Sequence, residues 1–419
     1  MKPRNEKSLR ADPLRAFFKV RKQEFGKTKP FEGGEHLWIG NEGAARANAR
    51  LELDVREFGP FRRKLAPERL TYGEIVAFSG DFYESPTALF SEKPSRLDWL
   101  WQSNDLDGIR EAFDHELTWI KLPPMERGTS YPDKNLMLWW NAKNFAELAL
   151  KNDSHFGWHN ALAYVTWHER ALKLAARASK ESSSAEKSLL WREAVYTNGF
   201  ADHFLTDGFA AGHVRTPSAQ IRQWAQDTGR NKKFASALVK LIHDQDGHVG
   251  ELHSEADHSK NKGGLHVTNA QDATWRARCD GQLFLTGTKD PAVEQAVEAV
   301  AASVEELLRV YRGEPAVEGV FAATRWLPWP HPDELPLIEK FPADLSDAKA
   351  EKLFESIRWY VKLPAIGADI KPRDIQACYK ALPKLMQAFR NEIKQQALQS
   401  PELVRRLAPE FVKAYKAIR

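Results

Sequence analysis

Along most of this 419-residue chain, apolar side chains recur at i, i+3 and i+4, the spacing that lines one face of a helix. The pattern predicts helices over 36–56, 139–151, 156–180, 184–213, 231–246 and 290–313, while strand-like alternation is scarce. The polar run RASKESSSAEK at 177–187 interrupts it as a helix–helix loop, with Ser184 placed to cap the next helix. A proline-rich passage, 314–342, cannot continue a helix, because proline lacks the amide hydrogen and clashes with the preceding turn. It reads as a linker or a wrapping arm. Helical pattern then resumes over 343–419, from SDAKAEKLFESI to SPELVRRLAPEFVKAYKAI. The expectation is an all-α protein in four parts: a basic N-terminal segment (1–35), a helical domain (36–313), the arm (314–342) and a helical C-terminal region (343–419).

With 42% hydrophobic residues, a chain this long can bury a sizeable core. Paired tryptophans such as Trp139 and Trp140, among fourteen in all, read as large buried anchors. The basic start MKPRNEKSLR has no apolar stretch behind it, and nowhere do about eighteen apolar residues run together. A protein without a membrane span or a cleaved secretion signal is expected, acting in the cytoplasm or exported by another route, as a secreted effector would be. Net charge is only +4 and no Lys/Arg block stands out, so no stable nucleic-acid partner is expected. Two cysteines, Cys279 and Cys378, exclude a disulfide framework and a zinc–thiolate site, which leaves any metal to histidine and carboxylate.

Ten of the thirteen histidines fall between 155 and 266, about a quarter of the chain. The segment GFADHFLTDGFAAGHVRTP, 199–217, sets His203, Asp207 and His213 among small and apolar residues. On a helix His203 and Asp207 share a face one turn apart, so their N and O atoms can converge on one cation. His213, six residues on, lies about 9 Å further along an unbroken axis and needs a second ion, with Asp207 as a bridge. Gly208, Ala210, Ala211 and Gly212 would let another element approach closely. By itself the His-x3-Asp spacing is more often a hydrogen-bonded pair than a metal site. His159 and His168 read as packing residues, and His248, His258 and His266 as polar-loop residues. Arg215 is either a surface cation or a contact for a substrate phosphate.

Three further segments stand in order with the His203–Asp207–His213 helix: EHLWIGNEGA with His36, FSGDFYESP with Asp81, and NDSHFGWH with His155. Together they resemble the zinc-dependent phospholipase C / P1 nuclease family, over about 36–260 and in the short motifs only, closest to its larger, signal-less bacterial phosphatidylcholine-hydrolysing members. The resemblance implies a multi-helix bundle, here with a helical C-terminal extension, and two or three Zn2+ ions. Asp81, His155, His203 and Asp207 would hold one ion and His36 with Asp207 another. His213 would hold a third with a later pair, either His243 with Asp246 or His253 with Asp257. The first pair is favoured because it closes a periodic helix, whereas 253–264 is polar and glycine-rich. In secreted members a processed N-terminal Trp ligates zinc; here some thirty-five residues precede His36, so that ion would use Glu35 or Glu32, or be absent. Asp81 is implied as the general base.

The implied activity is phosphodiester hydrolysis, with a phospholipid at a membrane surface as substrate. A P1-like single-strand nuclease is the alternative, and a non-catalytic, zinc-stabilised helical binding protein a third.

Overall fold

The computed structural model describes residues 33–51, 70–91, 106–122, 148, 150–151, 153–247, 264–284, 286–362 and 367–419. Most of the expected helix 139–151, with Trp139 and Trp140, lies outside them, as do Glu32, His248, His253, Asp257 and His258.

The fold is all-α, with one small sheet. Its first part comprises α1 (Gly33–Arg50), α2 (Tyr72–Phe78), α3 (Pro86–Ser91) and α4 (Leu106–Lys121). A long pair follows, α5 (Gly157–Lys180) and α6 (Ser184–Asp207), then α7 (Ala211–Arg215), α8 (Ser218–Asp227) and α9 (Lys232–Asp246). β1 (Leu265–Thr268) and β2 (Thr274–Ala277) precede α10 (Pro291–Tyr311), and β3 (Trp329–Pro330) completes the sheet in the order β2-β1-β3. Both pairings are antiparallel, with His266 opposite Arg276. His266 is therefore a strand residue, its ring stacked on His331 at 4.2 Å, and not the loop residue its polar surroundings suggested. The C-terminal part holds α11 (Leu337–Lys340), α12 (Asp347–Val361), α13 (Pro372–Gln399), α14 (Pro401–Val404) and α15 (Pro409–Lys416).

Local chemistry sets the helix ends. Thr71 and Glu74 form a capping box on α2, satisfying two amides at once. Asn231 caps α9, and Asp290 caps α10 ahead of a proline at its first turn. On α6 the cap is Ser183 rather than Ser184, its side chain accepting from the Glu186 amide. The expected helix 184–213 is two helices. After Asp207 the chain extends at Ala210, and Ala211 gives its amide to the Arg278 carbonyl at 2.8 Å instead of to the preceding turn. That tie to the end of β2 redirects α7.

The core runs through the contacts of α5 with α6 and of α10 with α1, α5 and α6, while α2 packs on α1 and α6. From Leu190 to Asp207, α6 is buried almost all round, which places its polar residues inside the protein. The proline-rich passage lies on this body, with Phe321 and Leu327 buried and the Phe321 amide bonded to the Arg406 carbonyl at 2.9 Å. The C-terminal helix reaches the same region. Phe411 stacks on Trp158, and the Tyr415 hydroxyl donates to the Val214 carbonyl at 2.6 Å.

Candidate metal centre

Six elements carry the polar groups that α6 draws inward. His36 is in the first turn of α1, and Asp81 follows α2 in a turn where Gly80 has φ +71°. His155 closes the 3-10 turn Asp153–His155 before α5; His203 and Asp207 end α6; His213 sits on α7 and His243 on α9. All seven are buried. Among the described residues their ligand atoms form three groups, each within 4.8 Å: His36, Asp81 and His203; His155, His203 and Asp207; and His213, His243 and Asp280.

Asp207 joins the first two groups. Its Oδ1 lies 3.3 Å from His36 Nε2, while its Oδ2 lies 2.6 Å from His155 Nδ1 and 3.7 Å from His203 Nε2. One carboxylate facing imidazoles on two sides is what a bridging ligand requires. It also reaches the third group, where His213 Nδ1 stands 3.9 Å from Oδ2.

Close packing makes the convergence possible. A Cβ on residue 80 would collide with the His203 ring and approach His155, and its positive φ favours glycine. A Cβ on residue 212 would collide with the His243 ring, so Gly212 does admit a neighbour, which is α9.

Hydrogen bonds orient the rings. The Val76 carbonyl lies 3.1 Å from His203 Nδ1, and the His155 carbonyl 2.6 Å from His213 Nδ1. A carbonyl only accepts, so each ring donates from Nδ1 and turns Nε2 inward. His243 Nδ1 lies 3.0 Å from the Asp244 carboxylate, which Lys240 also contacts, and its Nε2 stands 2.7 Å from Asp280 Oδ2.

The donor set fits a cation. His203 Nε2, Asp207 Oδ1 and Asp280 Oδ1 are buried and make no hydrogen bond, although imidazoles and carboxylates crowd together. Buried polar atoms in that condition are costly unless an ion or water satisfies them. Nitrogen and oxygen donors without thiolate suit zinc at a hydrated site.

Charge follows from the same crowding. Burial opposes ionisation of Asp207, but His203, His155 and His213 hold its carboxyl well below the usual range. Asp280 behaves alike beside His243 and His213. Burial keeps His203 neutral, well below the ordinary histidine value. Burial also works against charge on His213, yet Asp280 and Asp207 raise it to about 9. Asp81 is pushed up to about 6 by burial, with Asp207 adding to the rise and His155 opposing it.

The third carboxylate is Asp280, not Asp246. Asp246 receives Arg215 Nε at 2.9 Å and Nη2 at 2.8 Å, with Lys340 Nζ at 3.1 Å, a set of bonds that draws it down to about 2 against the effect of burial. Its oxygens are already satisfied. Arg215, fully buried, is thus neither a surface cation nor open to a substrate phosphate. Asp280 follows β2 in a Cys-Asp-Gly turn, and its Oδ2 lies 3.5 Å from His213 Nε2.

Glu35 is in none of the three donor groups, yet it places that turn. It accepts from the amides of Gly281 and Leu283, both at 3.0 Å, and burial together with Asp280 raises it to about 8. Sequence reasoning missed Asp280 because a turn residue has no periodicity to mark it; an Asp-Gly turn closing the Thr274–Ala277 stretch is the one local signal. His159 pairs with Glu392 at 2.8 Å, and His168 lies between Asn198 and Glu306, both away from the donor groups.

In comparisons with known proteins, no family model, curated protein or solved structure matches this chain.

Proposed function

We propose that this chain is a zinc-dependent phosphodiester hydrolase, specifically a phospholipase C that cleaves phosphatidylcholine-type lipids to diacylglycerol and a phosphorylated head group. The observation that carries the reading is the sharing of Asp207 between imidazoles from α1, the 155 turn and α6, in a buried cluster without thiolate. The motifs around His36, Asp81, His155 and His203, similar to those of the zinc-dependent phospholipase C / P1 nuclease family, support it further.

His36, Asp81, His155, His203 and Asp207 would hold a closely spaced pair of ions, and His213, His243 and Asp280 a third. When bound, zinc supplies Lewis-acid polarisation of water and of phosphoryl oxygen. The chain's own part is orientation and proton handling. Val76 and His155 fix ring directions through their carbonyls. Asp81, a carboxylate beside His36 and His203, is suited by its place to take a proton from the attacking water, the role the family resemblance implies.

A phospholipid is favoured over a nucleic-acid strand because the sequence holds no basic run interleaved with aromatics. Among the described residues no helix is long and apolar enough to cross a membrane, so the lipid would be met at a surface. The test offers the zinc-loaded protein phosphatidylcholine vesicles and single-stranded DNA side by side. Phosphocholine release with intact DNA is expected. DNA cleavage alone would make the protein a P1-like nuclease, and bound zinc without either activity would make it a zinc-stabilised binding protein.

A further inference from the structure

In the last turn of α6, Thr206 turns its hydroxyl towards α1. Its Oγ1 lies 2.6 Å from His36 Nδ1, and both residues are buried. The same oxygen stands 2.8 Å from the Asp202 carbonyl and 2.9 Å from the His203 carbonyl. Carbonyls only accept, so when the single hydroxyl hydrogen points to either of them the oxygen presents a lone pair to His36, and the ring donates from Nδ1.

We propose that Thr206 is a positioning residue that fixes His36 as the Nδ1–H tautomer, through a relay from His36 Nδ1–H to the Thr206 oxygen and from the Thr206 hydroxyl to the helix carbonyls. The lone pair of the neutral ring is thereby placed on Nε2, 3.3 Å from Asp207 Oδ1. The consequence for a cation rests on the zinc reading above: a ring held ready at Nε2 loses less on binding than one that must first turn over or move its proton. Thr206 also ties α1 to α6, two elements remote in sequence, at the point where their donors meet.

The experiment uses the full chain, metal-free, labelled with 15N in histidine and held at about pH 8.5, where the two neutral tautomers differ in their two-bond 1H–15N correlations. Wild-type His36 should show Nδ1–H. Thr206→Ser, which keeps the hydroxyl, should preserve that signature, and Thr206→Val should mix or reverse it. An Nε2–H pattern in the wild type overturns the proposal, as does a Thr206→Val spectrum identical to wild type; should Thr206→Val fail to fold, the wild-type spectrum decides.

Zinc affinity, read by competition with a chelating dye, gives a second arm. Thr206→Val should weaken one ion by about 10- to 100-fold, with Thr206→Ser close to wild type. Wild-type affinity in Thr206→Val counts against the relay. A wild-type protein that binds no zinc defeats the hydrolase reading, and the tautomer alone then judges Thr206.

Discussion

Asp280 Oδ2 stands 2.7 Å from His243 Nε2, although one side chain belongs to a turn after β2 and the other to a helix before the sheet. Asp246, a turn along α9 from His243, instead meets Arg215 and Lys340. The two carboxylates should therefore fail differently. Asp280→Ala should bind one zinc fewer while keeping its helicity, by elemental analysis and circular dichroism. Asp246→Ala should keep the zinc count but lose about 3–5 kcal/mol of stability, because Arg215 is left buried without its partner. Reversed outcomes would return Asp246 to the ligand set.

The Asp246 pair also predicts a pH dependence. Burial alone would raise its carboxyl, but Arg215 and Lys340 bring it from 3.8 to about 2. A depressed folded value means that the stabilisation is fully present above the unfolded value of 3.8 and is lost as pH falls through about 2. That depression corresponds to roughly 2 kcal/mol. In urea denaturation, the stability gap between wild type and Asp246→Asn should narrow by about that amount between pH 5 and pH 2. A gap that stays constant would mean the ion pair contributes nothing through ionisation.

Gly80 tests the first donor groups without touching a ligand. Alanine there has to adopt a positive φ, at a cost of about 1–2 kcal/mol, and its methyl group collides with the His203 ring. Gly80→Ala should lower zinc content and melting temperature while leaving the far-UV spectrum helical. Full zinc occupancy in this variant would show that the His203 ring has room to move.

Asp81→Asn separates chemistry from binding. The amide keeps an oxygen donor but cannot take up a proton, so turnover on phosphatidylcholine should fall by about 10²- to 10⁴-fold with most of the zinc retained. Activity close to wild type would remove Asp81 from the mechanism.

Chelation probes the whole cluster at once. Zinc at a hundred times its dissociation constant adds about 2.7 kcal/mol per independent site. Treatment with a strong chelator should therefore lower the melting temperature, and added zinc should restore it. An unchanged melting curve, with no metal found beforehand, would sink the metal reading.

The helical register was legible in the chain because it is local. Gly157–Lys180, Lys232–Asp246 and Pro291–Tyr311 lie within a residue or two of the ranges that periodicity marks. So were the residue types of the buried cluster: the crowding of histidine and aspartate into short motifs marked His36, Asp81, His155, His203, Asp207 and His213, which the fold brings together. What periodicity does not carry is direction across space. The break between α6 and α7 depends on a bond from Ala211 to Arg278, far downstream, which no local pattern records.

Sequence alone determined that this is a helical protein with histidine and carboxylate chemistry on particular helix faces, because side-chain spacing dictates which residues share a face. Tertiary structure decided which carboxylate joins His213 and His243, that Asp207 faces imidazoles from several elements, and that Glu35 bonds to the Asp280 turn and Thr206 to His36. Those choices turn on which buried group has a partner within reach: Arg215 satisfies Asp246, while Glu35 accepts from the amides of the Asp280 turn.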